Sequence, residues 1–199
     1  VAFPLKFSGP HAFAVLISTG AVGAVSFFVM VTTVMRAWHL SWPGIKPQFG
    51  WGFSWWVLLT LIIVDILFTI RNAYGTGNSW KNMFFQYNFV WKRPTGTLTM
   101  EAFESAVAEE TLCRFGFLGC ALYAFRNFNN RIPYAVLLSS ALFGLMHYFN
   151  LIGQSFDITT VQVLSAFSMG IFFAVVYLYT GQLWISMFMH FLIDWTSFM

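Results

Sequence analysis

The polar and apolar positions of this chain fall into blocks, not into an alternation. The first long apolar run, AFAVLISTGAVGAVSFFVMVTTVM, extends from Ala12 to Met35 without a charge, enough to cross a bilayer. Its small residues Gly20, Gly23 and Ala24 permit close helix packing. Pro43, Gly44 and Pro47 then break the chain, and a second run spans about Gly52 to Ile70 with one acid, Asp65. Residues 71–98 form the most polar stretch, an interfacial loop holding a short amphipathic piece, NMFFQYNFVW. A third helix is predicted from near Thr97 or Thr99, either able to cap it, to about Phe125. Glu101 and Glu104 sit early in it, where the helix dipole favours acids. At roughly 40 Å this helix is longer than a bilayer core and protrudes. RNFNNRIP is a turn, and Pro133 suits the first turn of a fourth helix ending near Phe149. After the polar loop NLIGQSFD come a fifth helix, Thr159 to Thr180, the turn TGQ, and a sixth helix, Leu183 to about Phe198.

The expected fold is an all-α integral membrane protein, a bundle of about six transmembrane helices with an interior polar site. Helices are expected because lipid does not tolerate unpaired backbone. One membrane domain, 1–199, is expected, with a motif-bearing core at about 97–199; no repeat is visible.

Composition sharpens this. The chain is 58% hydrophobic, 21% aromatic and only 9% charged, too little charge to cover a soluble surface. A net charge of +3, spread through loops, leaves no nucleic-acid footprint, so no nucleic-acid partner is expected. Trp38, Trp42, Trp51, Trp55 and Trp56 crowd one membrane edge as an aromatic belt, and Lys92 and Arg93 read as interfacial anchors. One set of loops carries Lys6, Arg71, Lys81, Lys92 and Arg93, the other Arg36, Lys46, Arg126 and Arg131, a balance that fixes no orientation. Cys113 and Cys120 lie about 10 Å apart along one helix, too far for a disulfide, and read as packing residues.

Charges inside apolar helices are costly and face the bundle interior. From the third helix onward they are Glu109, Glu110, Arg114, His147, His190 and Asp194. Glu110 and Arg114 are four apart and can pair on one helix face. Glu109 points roughly 100° away and is the carboxylate not neutralised within its own helix. In a dry pocket such a group can act as a general base. FGLMH sets Phe143 and His147 on one face of the fourth helix, and HFLID sets His190 and Asp194 on one face of the sixth. An i,i+4 carboxylate can orient an imidazole. Asp65 reads as a lone packing group.

EETLCR fits Glu-Glu-x-x-x-Arg, FGLMH fits Phe-x-x-x-His, and HFLID fits His-x-x-x-Asn/Asp. In this order the three stretches resemble the motifs of the CAAX-protease and bacteriocin-processing (CPBP, or Abi) family, over about residues 100–199. The segment QVLSAFSMGIFFAVVYLYTGQLWISMFMH resembles the family's lead into its third motif. The resemblance implies a glutamate-dependent, metal-independent intramembrane endopeptidase without cofactor. Glu109 with His147 would activate a water; His190 and residue 194 would stabilise the oxyanion; Glu110, Arg114 and Phe143 would support the site. Better-understood members carry Asn where this chain has Asp194, and an ionised carboxylate cannot donate to an oxyanion. Either Asp194 is protonated, or it accepts from His190 so that the ring's other N–H donates; the i,i+4 spacing favours the second.

Two other functions compete. Glu109, His147 and His190 form a possible zinc set, two His and one Glu, although no His-Glu-x-x-His occurs. A non-catalytic immunity or partner-binding membrane protein is the other. The expected partners are the lipid bilayer and a peptide or membrane-protein substrate, for CAAX-type processing or for bacteriocin maturation or self-immunity. The compact chain resembles the bacterial branch, so a multi-pass protein of a bacterial cell membrane is expected.

Overall fold

A computed structural model describes residues 12–40, 44–73 and 95–198. The amphipathic piece NMFFQYNFVW, Lys6, Trp42, Lys81 and the anchors Lys92 and Arg93 lie outside the described residues. All elements among the described residues are helical: α1 (Ala12–Ala37), α2 (Trp55–Ala73), α3 (Gly96–Glu110), a π-helical segment (Thr111–Leu118), α4 (Gly119–Ala124), α5 (Arg131–Met146), a 3-10 segment (His147–Ile152), α6 (Phe156–Thr180) and α7 (Leu183–Phe198). By length and composition three of them, Gly20–Ala37, Arg131–Ile152 and Phe156–Thr180, can cross a membrane. The chain is thus an α-helical membrane protein, its helices close to the six predicted apolar segments.

The starts differ in detail. Thr95, not Thr97 or Thr99, caps α3: it has extended backbone, and its hydroxyl accepts from the Leu98 N–H. From Gly96 the rod runs through α3, the π segment and α4 to Ala124. The fourth apolar stretch tightens into a 3-10 turn at His147, so its second motif straddles a helix end. Gly181, at φ 64°, terminates α6 in the left-handed conformation and turns the chain into α7.

Small residues set the closest contacts. A Cβ on Gly144 would stand 2.9 Å from the Val163 carbonyl oxygen, and one on Gly170 would stand 3.0 Å from Ser140 Cβ and 3.1 Å from Phe143 Cδ1. Each of α5 and α6 therefore contributes a glycine where they cross, which seats Phe143. Gly20 and Gly23 of α1 lie against the side chain of Glu104 on α3. Phe172, Phe173, Val176 and Tyr179 of α6 pack with Leu61 of α2 and Ile193 of α7 as one buried cluster. The exposed faces are apolar, including Val25 and Val29 on α1 and Ile62, Ile66 and Leu67 on α2, as lipid contact requires. Trp38, Trp51, Trp55 and Trp56 are likewise exposed. Cys113 is a free, buried thiol and Cys120 a half-buried one.

Candidate active site

The two glutamates that open the first motif differ in environment although they are adjacent. Glu110 ends α3 and is 0% exposed, whereas the Glu109 side chain is 17% exposed. The π segment begins at the next residue, and its i→i+5 winding marks a local departure that such segments show at functional sites. Six of its residues are buried, among them Cys113, Arg114 and Phe115, so this turn is enclosed on all sides by protein.

Within it Arg114 is fully buried, with Nε 3.3 Å from Glu110 Oε2. Its guanidinium lies 4.8 Å from the centre of the Phe143 ring and 5.7 Å from that of Phe173. A desolvated cation is favourable there only with its carboxylate and the π faces together. Glu110 spends its second oxygen on another helix: the His190 Nδ1–H donates to Oε1 at 3.1 Å. A carboxylate only accepts, so this bond fixes the proton on Nδ1. The other ring nitrogen, Nε2, lies 3.4 Å from Asp194 Oδ2 and 3.8 Å from Glu109 Oε2. Phe173 stacks on the ring at 4.7 Å, and Phe143 meets it edge-on at 5.8 Å.

One expectation is corrected here. Asp194 does stand beside His190, but the ring's second nitrogen is not free to serve an oxyanion: Nδ1 is held by buried Glu110. The reason is that Arg114 occupies one oxygen of Glu110 and leaves the other facing α7.

His147 caps α5. Its Nδ1–H donates to the Phe143 carbonyl at 3.0 Å, which leaves Nε2 as the acceptor nitrogen of the neutral ring. Phe143 thus serves three partners: a face to Arg114, and edge contacts to His147 at 5.1 Å and to His190.

Glu109, Phe143, His147, His190 and Asp194 line one cavity of about 240 Å³. Glu110 and Arg114 lie behind its wall. Asp65, buried on α2, does not line it. Four polar residues that sequence reasoning passed over share the cavity. The Ser105 hydroxyl donates to Glu109 Oε1 at 3.1 Å. Asn150 donates to Gln162 Oε1 at 2.9 Å, and Gln154 stands with them. The i,i+4 spacing of Ser105 and Glu109 is readable in the sequence; nothing there distinguishes Phe173 from the other 24 Phe. Among the described residues no group of three or more His, Cys, Asp or Glu is arranged to hold a metal ion, the competing zinc set Glu109, His147 and His190 included.

The model of one protein family, described as type II CAAX prenyl endopeptidase Rce1-like, matches residues 91–196. Neither a comparison with curated proteins nor one with solved structures returned a match. The family match covers more than half of the chain and contains all three motifs, so the chain belongs to the Rce1-like, type II CAAX prenyl endopeptidase family and is a membrane-embedded peptidase.

Proposed function

We propose that this member of the Rce1-like family is a metal-independent glutamyl endopeptidase, multi-pass in a bacterial cell membrane, that cleaves a prenylated CAAX-type or other membrane-associated peptide. The observation that supports the reading is the single cavity shared by Glu109, His147, His190 and Asp194.

In this reading Glu109 and the acceptor Nε2 of His147 hold a water between them. Glu109 takes one of its protons as the oxygen attacks the scissile carbonyl. The carbonyl π pair moves onto its oxygen. His190 Nε2, its ring braced from behind through Nδ1 by Glu110, donates to that oxyanion when it carries a proton. Collapse of the tetrahedral intermediate breaks the C–N bond, and protonated Glu109 delivers its proton to the leaving amine. Asp194, 3.4 Å from Nε2, stabilises the imidazolium form of that ring by its charge and takes no part in bond making. Asn150, Gln154 and Gln162 supply amide donors and acceptors for an extended peptide backbone.

The test is cleavage of a quenched farnesylated CAAX peptide by the purified protein in lipid nanodiscs, with and without chelator. Turnover is expected to survive chelation and to vanish in Glu109→Gln. Chelator-sensitive turnover with stoichiometric zinc would sink the proposal in favour of a metallopeptidase. Full turnover by Glu109→Gln would remove the assigned base.

A further inference from the structure

A second cavity, of about 580 Å³, shares no lining residue with the first. The active-site cavity is built from the last turns of α3, the end of α5, the first half of α6 and the second half of α7. The second is built from Phe115 and Leu122 at the far end of the third rod, Ile132 at the start of α5, Leu178 at the end of α6 and Met35 at the end of α1. α5 and α6 therefore place the two cavities at opposite ends of the bundle. The second is larger, and its floor is apolar. Water inside would find few partners for its hydrogen bonds.

Its rim is different. Arg126 and Arg131 both line the cavity and both are exposed. Arg126 spends one donor on the Tyr123 carbonyl, 3.1 Å away, and rests on the Tyr123 ring, which leaves most of its five donors for a ligand. Arg36 and Lys46 stand at the same end, exposed, in the last turn of α1 and in the loop whose Lys46 carbonyl accepts from Gln182. None of the seven Asp and Glu of the chain falls in 31–48, 115–135 or 175–185. This end of the molecule is thus basic without a counter-charge, around an apolar pocket where α5 begins and α6 ends, two helices long and apolar enough to cross a membrane.

We infer that this cavity binds an anionic phospholipid, one acyl chain lying on Leu122, Ile132 and Leu178 and the phosphate held by Arg126 and Arg131. The chemistry of the pair fits: guanidinium forks bind phosphate bidentately, and the apolar floor receives hydrocarbon that a free anion lacks. The site is independent of the peptidase cavity and of the reaction assigned to it.

The test uses the purified full chain equilibrated with vesicles of equal phosphatidylglycerol and phosphatidylcholine, extracted into mild detergent, with the retained lipids quantified by native mass spectrometry. Wild-type protein is expected to retain phosphatidylglycerol preferentially. The double variant Arg126→Gln/Arg131→Gln is expected to lose that preference by about 30-fold, the effect of two basic groups at an anionic lipid surface. Leu122→Trp, which narrows the floor, should reduce retention of the lipid with both arginines intact. Lys46→Gln, a cation at the same end outside the cavity, should change the preference little. Equal retention of the two lipids by wild type overturns the inference. So does a Lys46→Gln loss as large as that of the double variant, which would mean diffuse surface charge. Displacement of phosphatidylglycerol by millimolar inorganic phosphate would point to a free-anion site instead.

Discussion

The two sides of the third helix handle charge in opposite ways. Behind the cavity wall, Glu110 and Arg114 form a closed set, fully buried, paired with each other and enclosed by Phe173 and by Phe143, whose ring is part of the wall itself. On the cavity side, Glu109 has a hydroxyl on one oxygen and His190 Nε2 at 3.8 Å from the other, and remains partly exposed. Neighbouring residues of the same type thus have different tasks, set by what surrounds them. A carboxylate enclosed with its counter-ion holds helices in register. One left at a polar cavity is available for proton transfer. His190 joins the two sides, with Nδ1 on the closed set and Nε2 on the open one.

This contrast can be broken from either side. The largest effect is expected from Arg114→Met, which leaves Glu110 buried without its cation. A loss of about 3–5 kcal/mol in stability follows for a broken buried pair, read as an earlier thermal transition by tryptophan fluorescence. On the open side, His147→Ala should lower kcat by about 10²–10³-fold with the thermal transition little moved, since the ring's hydrogen bond is to a carbonyl of its own helix. Gly170→Val intrudes on Phe143 and Ser140 and should cost about 1–3 kcal/mol by overpacking, with a smaller fall in turnover. The smallest effect is expected at Ser105. Ser105→Ala should reduce kcat about tenfold, because Glu109 loses the donor that positions it, while Ser105→Thr restores turnover. Wild-type turnover in Ser105→Ala would make the hydroxyl a packing group only.

Much of this was legible in the chain because membrane helices are written in long apolar runs, which gave the helical segments to within a few residues at most ends. The motif residues were legible for the opposite reason: charges are scarce here, so Glu109, Glu110, Arg114, His147, His190 and Asp194 stood out. The rest depends on distance between elements. Nothing in TLCRFGFL announces a π turn, and no spacing rule links His190 to Glu110 eighty residues earlier. Phe173 looks like any lipid-facing aromatic until α6 is packed against α7. Asn150 and Gln162 read as loop and helix-surface polar groups until the chain turns back between them.

The most direct test of the division between the two glutamates is a paired measurement on Glu109→Gln and Glu110→Gln, with turnover of the farnesylated peptide normalised to folded protein and the thermal transition recorded on the same samples. The account predicts that Glu109→Gln unfolds with wild-type protein and turns over about 10²–10⁴-fold more slowly, while Glu110→Gln unfolds markedly earlier because Arg114 loses its carboxylate. Glu109→Gln cleaving at the wild-type rate, or Glu110→Gln matching wild type in stability, would contradict it.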